Sequence, residues 1–195
     1  MSLLSKKAVV LLLMAATSLG ALNAQAAKAT ASDKAPAQKV SMLGGKFTFT
    51  LPKGFIANPL PAGDAATGTA GATGTMYTNQ TTKTVVIAAE NTIPGGANVK
   101  DNDGEFLDAT VSAFATEQRN ALPDFNKTSE KSLTQKGTGL GLRQIDSTAT
   151  QGGGMTLDST LMAASGTRMA IVQVISRPND KTGHETLVKQ IVSGK

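Results

Sequence analysis

Two stretches of this chain are apolar on both faces of a strand, and they constrain the fold more than any other feature. Residues 85–89 contain no polar side chain, and most of residues 168–176 are apolar in the same way. A strand that buries both faces lies in the middle of a sheet and is covered on both sides. The chain must therefore supply neighbouring strands and covering elements for these two segments.

Alternating patterns predict the strands around this centre. Residues 46–51 place Phe47, Phe49 and Leu51 on one face and polar side chains on the other, which is typical of a strand with one buried face. Residues 155–163 place Met155 and Leu157 on a shared face with Leu161. The predicted strands are 46–51, 75–78, 83–90, 127–135 at a sheet edge, 140–149, 155–163 and 168–176.

Turn residues separate these strands. Residues 79–82 and 151–154 are short and polar or glycine-rich, so we expect hairpins there. Residues 56–74 show neither a strand nor a helix period and are predicted to form a long loop. Hairpin connections predict a mainly antiparallel sheet.

Two segments have the period of amphipathic helices. In the first, Asn102 and Glu105 are predicted to form a capping box, and the helix ends before Pro123. Its predicted buried stripe is Leu107, Val111, Phe114, Ala115, Gln118 and Leu122. In the second, Thr182 and Glu185 are the predicted capping box, and the buried stripe is Leu187, Val188, Ile191 and Val192. Strands combined with two helices in this order predict an α+β domain.

The first 26 residues have the pattern of a secretory signal peptide. Two lysines precede an unbroken apolar run over residues 8–16, and small residues at 24–26 predict cleavage after Ala26. A retained membrane span is the alternative, but polar residues dilute the second half of the stretch, and a span needs about 20 predominantly apolar residues. We therefore predict a bacterial periplasmic protein with no membrane span after signal removal.

The mature chain is predicted to have a leader and one domain. Residues 27–40 are small and polar, which predicts a flexible leader, and residues 41–195 are predicted to form a single domain. Removing the signal takes away two lysines and lowers the formal net charge from +5 to +3. This charge is modest and not concentrated in one segment, so we expect no nucleic-acid partner.

Residue types limit the available chemistry. The chain has no cysteine and one histidine, which excludes disulfides, cysteine nucleophiles and multi-histidine zinc sites. A serine–histidine–acid triad would need His184, which lies one turn before the apolar residues of the second helix. We predict that His184 is partly buried and structural rather than catalytic.

Acidic and glycine-rich segments also have structural interpretations. Asp101, Asp103, Glu105 and Asp108 surround the start of the first helix, but Ser112 occupies the place where a calcium loop needs glutamate. Acids at a helix start cap its amides and offset its dipole. The glycines at 137–141 and 152–154 are predicted turns, because those at 137–141 precede a strand instead of opening a helix.

No catalytic, cofactor-binding or metal-binding residue is therefore predicted, no cofactor is expected, and the chain is predicted not to be an enzyme. One constellation stays open, since Arg143, Arg168 and Arg177 could meet around an anion.

Residues 40–54 resemble the opening of DcrB-family envelope proteins. They contain a short apolar lead, a Gly-Lys turn, an alternating strand and a Leu-Pro stop. Met76-Tyr77 before residues 85–89, and strand 169–175 before a short C-terminal helix, extend the resemblance over residues 40–192. It implies a PsbP-like α/β/α sandwich with a mainly antiparallel sheet of about six or seven strands, one long helix and one short helix.

The resemblance also implies a place of action. DcrB-family proteins are associated with phage and colicin sensitivity at the bacterial envelope, and related PsbP-like domains bind partners as accessory proteins or effector chaperones. The typical family member carries a lipobox cysteine, which this chain lacks. We therefore do not expect a lipid anchor, or roles that depend on it, to transfer.

Three functional hypotheses follow. The first is a non-enzymatic, soluble periplasmic accessory protein that binds a protein partner in the envelope. The second is a small-molecule or anion-binding domain that uses residues 56–74 as a cover, and the third is a hydrolase that uses His184. Long hinges permit domain swapping, so a domain-swapped homodimer also stays open.

Overall fold

The computed structural model describes residues 35–64 and 69–194. Seven strands form one antiparallel sheet, namely β3 (Ile56–Pro59), β4 (Thr73–Asn79), β5 (Thr84–Thr92), β6 (Asn126–Thr134), β7 (Gly141–Gln151), β8 (Gly154–Ser165) and β9 (Arg168–Ser176). Their order across the sheet is β3–β4–β5–β9–β8–β7–β6. The two doubly apolar strands, β5 and β9, are neighbours near the middle, as their sequence predicts.

Two layers cover this sheet. The helix α1 (Gly104–Ala121) packs on one face through Leu107, Val111 and Phe114, which contact Ile145, Met162 and Ile171 of the sheet. The opposite face is covered by a separate two-stranded hairpin, β1 (Gln38–Met42) and β2 (Phe47–Leu51), together with α2 (Lys181–Ser193). The predicted α+β class is therefore confirmed, with nine strands among the described residues.

The hairpin β1–β2 begins earlier than expected. The signal peptide 1–26 and residues 27–34 of the predicted leader lie outside the described residues. Residues 38–40, however, were predicted to belong to the flexible leader and instead form most of β1. Val40 pairs with Phe49 across the hairpin and is 6% exposed, so long-range burial overrides the polar local composition.

The predicted loop 56–74 is wrong at both of its ends. Residues 56–59 form β3, which pairs with β4, and β4 itself begins at residue 73. A proline and an asparagine in β3 suit an edge strand with one neighbour, but they hide its strand character in the sequence.

The N-cap of each helix differs from the predicted one. The N-cap of α1 is Asp103 rather than Asn102, and its carboxylate accepts a hydrogen bond from Phe106 N at 3.0 Å. The N-cap of α2 is Asp180 rather than Thr182, and its carboxylate accepts from Gly183 N at 3.1 Å. In each case another polar residue close in sequence occupies the position where the chain enters the helix.

The predicted edge strand and the hairpin turn at 151–154 are confirmed, with β6 at the edge and a two-residue turn between β7 and β8. The predicted buried stripe on β8 holds for Leu161, which is fully buried, but not for Met155, which is 51% exposed. Met155 lies next to the hairpin turn, opposite the exposed Thr150 of β7.

Candidate functional site

A groove of about 750 Å³ lies between α2 and the outer strands β6, β7 and β8. It forms because α2 packs over β2, β8 and β9, so that neither of the two described α-helices covers the corresponding face of β6 and β7. Its volume lies in the range of ligand sites, which is roughly 300–1,000 Å³. The groove is therefore the candidate functional site.

The groove combines apolar walls with a cationic rim. Leu133 of β6, Leu157 of β8, and Val188 and Val192 of α2 supply its apolar surface. Four lysines surround it, namely Lys131, Lys136, Lys181 and Lys189.

Two of these lysines have acidic partners. Lys131 Nζ lies 2.8 Å from Asp146 Oδ2, and Lys181 Nζ lies 3.9 Å from Glu185 Oε1. Lys136 and Lys189 are exposed and form no ion pair with any residue in 35–64 or 69–194. The groove thus presents two uncompensated positive charges beside apolar surface.

Asp146 is the centre of hydrogen bonding in the groove. Its carboxylate accepts from Ser129 Oγ at 2.6 Å, Lys131 Nζ at 2.8 Å, Gln144 Nε2 at 2.6 Å and Ser159 Oγ at 2.7 Å. Burial alone would raise the pKa of Asp146, but the hydrogen bonds from Lys131, Ser129, Ser159 and Gln144 outweigh it and lower the pKa to about 2. Asp146 is therefore a fixed negative charge that holds β6, β7 and β8 together.

His184 lies at the α2 side of the same network. Its side chain is 6% exposed, and its Nε2 lies 2.9 Å from Ser159 Oγ while its Nδ1 lies 3.0 Å from Ser176 Oγ. Burial lowers the pKa of His184, against the attraction of Asp146, Glu185 and Asp180. The ring is neutral at pH 7 and ties α2 to β8 and β9.

The direction of these hydrogen bonds disfavours serine activation. Ser159 has one hydroxyl hydrogen, and it donates this hydrogen to Asp146. His184 Nε2 must then donate to Ser159, and Nδ1 accepts from Ser176. A nucleophilic serine needs the histidine to accept its hydrogen, so the order acid–serine–histidine here is the reverse of a catalytic arrangement.

Three of the four acidic residues near the start of α1 each have a separate partner. Asp103 caps the helix, and Asp108 accepts from Arg143 Nε at 2.6 Å. Asp101 accepts from Lys46 Nζ and from Ser165 Oγ. Within the part of the chain that the structure describes, no group of three histidine or carboxylate side chains could hold a metal ion.

The three arginines do not meet around an anion. Arg143 pairs with Asp108, and Arg168 pairs with Glu90 at 2.7 Å. Arg177 instead donates to backbone carbonyls of the β7–β8 turn, including Gly152 O at 2.8 Å. The predicted turn at 137–141 connects β6 to β7 and the one at 152–154 connects β7 to β8, and their last glycines, Gly141 and Gly154, already begin the following strands.

The segment proposed as a cover lies elsewhere. None of the described residues of 56–74 lines the groove, which is bounded only by residues from β6 onwards. Sequence reasoning also missed Asp146, Ser159 and Lys131. The sequence did contain a signal for this polar network, because Gln144 and Asp146 lie on the same face of β7 as the buried Leu142.

The described helices include none that is long and apolar enough to cross a membrane.

The fold resembles that of a solved protein structure. The solution structure of cyanobacterial PsbP (CyanoP) from Synechocystis sp. PCC 6803 matches with a TM-score of 0.54 and 11% sequence identity, covering 80% of this chain and 91% of that chain. A crystal structure of a Pseudomonas aeruginosa protein of unknown function matches with a TM-score of 0.42 and 13% identity, covering 80% of this chain and 92% of that one.

No protein-family model matches the chain, and no curated protein matches it. The structural match shows that the fold is PsbP-like, as the sequence resemblance implied. At such low identity it shows the fold alone. Membership of the DcrB family stays a prediction.

Proposed function

We propose that this protein is a non-enzymatic accessory protein of the bacterial envelope that binds a protein partner in the groove between α2 and β6–β8. The groove itself supports this proposal, because it has apolar walls and, on its rim, two lysines that form no ion pair with the described residues. The predicted signal peptide supports a periplasmic location, and the PsbP-like fold is compatible with a binding role.

The groove chemistry favours binding over catalysis. The only histidine is neutral, buried and used to donate to Ser159, so it does not act as a base towards that hydroxyl. Asp146 is saturated by four donors and is not poised to exchange a proton near pH 7. These groups stiffen the groove, as a binding surface requires.

The groove also limits the partner's chemistry. Leu133, Leu157, Val188 and Val192 offer apolar contact, and Lys136 and Lys189 offer charge-assisted contacts to carboxylates. The partner surface should therefore be apolar with acidic side chains at its margin. Positive charge at the rim would mainly accelerate association and favour acidic partners over basic ones.

A small amphipathic anion is the second candidate ligand, and the groove volume favours it. This hypothesis retains the anion-binding alternative derived from the sequence but moves it away from residues 56–74. Purified protein that binds a fatty-acid anion as tightly as it binds the protein partner would favour this second candidate.

Reversing the two unpaired rim charges is expected to weaken partner binding. The double variant Lys136→Glu/Lys189→Glu should lose about tenfold or more in affinity, because each reversal places a like charge against an acidic partner. The measurement is titration calorimetry with the partner identified by crosslinking in intact cells.

The matched control is Lys53→Glu/Lys100→Glu, which changes the net charge equally at exposed positions outside the groove. It should bind nearly as the unmodified protein does. Equal loss in both double variants would show that only overall charge matters and would contradict a groove-specific role.

A further inference from the structure

A buried cluster at the β7–β8 hairpin has one hydrogen too few for its hydrogen-bond contacts when its carboxylate is ionised. Gln151 Nε2 lies 3.2 Å from Thr156 Oγ1 and 3.1 Å from Asp158 Oδ2. Thr156 Oγ1 lies 2.9 Å from Asp158 Oδ2 and 2.9 Å from Ala149 O. The cluster therefore contains four hydrogen-bond contacts.

The donors in the cluster can fill only three of these contacts. The Gln151 amide group carries two hydrogens and the Thr156 hydroxyl carries one, while an ionised carboxylate and a backbone carbonyl only accept. A proton on Asp158 Oδ2 supplies the missing hydrogen, since Asp158 then donates to Thr156 and Thr156 donates to Ala149 O.

The other carboxyl oxygen supports the same conclusion. Asp158 is 4% exposed, and its Oδ1 is buried without a hydrogen-bond partner among the residues that the structure describes. Gln151 Oε1 is also buried without a hydrogen-bond partner among these residues. Leaving a charged oxygen buried without a donor costs far more than leaving a neutral one, so this site disfavours the ionised carboxylate.

Charged neighbours do not compensate Asp158. Arg177 is directed at the turn carbonyls, and Lys83 lines the small cavity beside Gln151 and Thr156 without an ion pair among the described residues. His184 bonds Ser159 and therefore lies on the opposite face of β8. Other charges on adjacent elements have their own partners: Asp146 has its four donors, Arg143 pairs with Asp108 of α1, Arg168 with Glu90 and Lys181 with Glu185, and Asp124 accepts from Thr150 N. Lys189 of α2 lines the groove with His184.

We infer that Asp158 carries a proton in the folded protein and locks the end of the β7–β8 hairpin through Thr156 and Gln151. Burial raises the pKa of Asp158 to about 7, against the hydrogen bonds that Thr156 and Gln151 would donate to the ionised carboxylate. Asp158 lies between Leu157 and Ser159, which both line the groove, so the lock also steadies one wall of the groove.

The stability of the hairpin end depends on pH because the pKa of Asp158 differs between the closed and the opened hairpin. An opened hairpin exposes Asp158 with an ordinary carboxyl pKa near 3.8, whereas the closed hairpin holds the proton up to about pH 7. The stabilisation from this group is complete below about pH 4, falls as pH rises, and stops changing above about pH 7. His184 acts in the opposite direction, because its pKa is lowered on folding.

Side-chain carbon NMR of the unmodified protein tests the protonation directly. We expect one aspartate carboxyl carbon to titrate near pH 7, and this resonance to be absent in Asp158→Asn but present in the control Asp108→Asn. If the Asp158 carboxyl instead titrates near pH 4, the inference is overturned. This readout needs only the unmodified chain, so it holds even if Asp158→Asn does not fold.

Hydrogen exchange tests the lock. After correction for intrinsic exchange, amide protection at the end of the β7–β8 hairpin should fall by about tenfold between pH 5 and pH 6 relative to Asp158→Asn. Comparing the two proteins cancels the contribution of His184. If amide protection at this hairpin end changes with pH in the same way in both proteins, Asp158 does not lock the hairpin.

Discussion

The Phe49→Ala variant is expected to lose about 3–5 kcal/mol in free energy of unfolding, which is the range for removing a buried aromatic ring. Phe49 is 1% exposed, and its ring centroid lies 5.6 Å from that of Phe47. It belongs to a hairpin outside the seven-stranded sheet, in one core cluster with Leu187 and Ile191 of α2. The loss in free energy of unfolding therefore measures how much the packing of this hairpin on the sheet contributes to stability.

Urea unfolding followed by circular dichroism checks this prediction. The control is Thr50→Ala on the neighbouring position of β2, which is partly exposed and should change the free energy of unfolding by less than about 1 kcal/mol. A loss below about 1 kcal/mol for Phe49→Ala would mean that the hairpin does not pack on the main sheet as described.

The Asp146→Ala variant is expected to lose about 2–3 kcal/mol at pH 7, because it leaves Ser159, Gln144 and Lys131 without their shared acceptor. The low pKa of Asp146, about 2, also fixes the pH dependence. Its stabilisation is complete above the ordinary carboxyl pKa near 3.8 and is lost as pH falls towards about 2.

The free energies of unfolding of the unmodified protein and of Asp146→Ala should therefore approach each other in acid. We expect the difference in free energy of unfolding to be full at pH 7 and to shrink below about pH 4. The matched control is Glu185→Ala, another groove carboxylate, whose ion pair is long and exposed and should contribute less than about 0.5 kcal/mol. A difference for Asp146→Ala that stays constant from pH 7 to pH 2 would contradict the assigned role.

Local patterns were sufficient to predict the centre of the fold. Strands β5 and β9 are apolar on both faces, and α1 carries a clear buried stripe, so burial follows directly from composition. The capping residues were harder to predict. Asn102 and Asp103 are adjacent and both can cap, and only the path of the chain into the helix decides between them.

Long-range pairing produced the features that the sequence did not reveal. Strand β3 has a polar, proline-containing sequence and is ordered by β4, while β1 is ordered by β2. The groove depends on where α2 lies across the sheet, and no local pattern encodes that position. Asp146 and Ser159 become partners through the register of β7 with β8, which the sequence alone did not align.

Site-directed crosslinking is the most direct test of the groove as the partner site. The chain has no cysteine, so one introduced cysteine places a crosslinker at a single known position. Thr134→Cys lies on the β6 wall and Glu185→Cys on the α2 wall, while Met155→Cys is exposed and lies outside the groove. In intact cells we expect both groove positions to crosslink to the same protein and Met155→Cys not to do so. Crosslinking of that protein from Met155→Cys, with none from the two groove positions, would contradict the proposal.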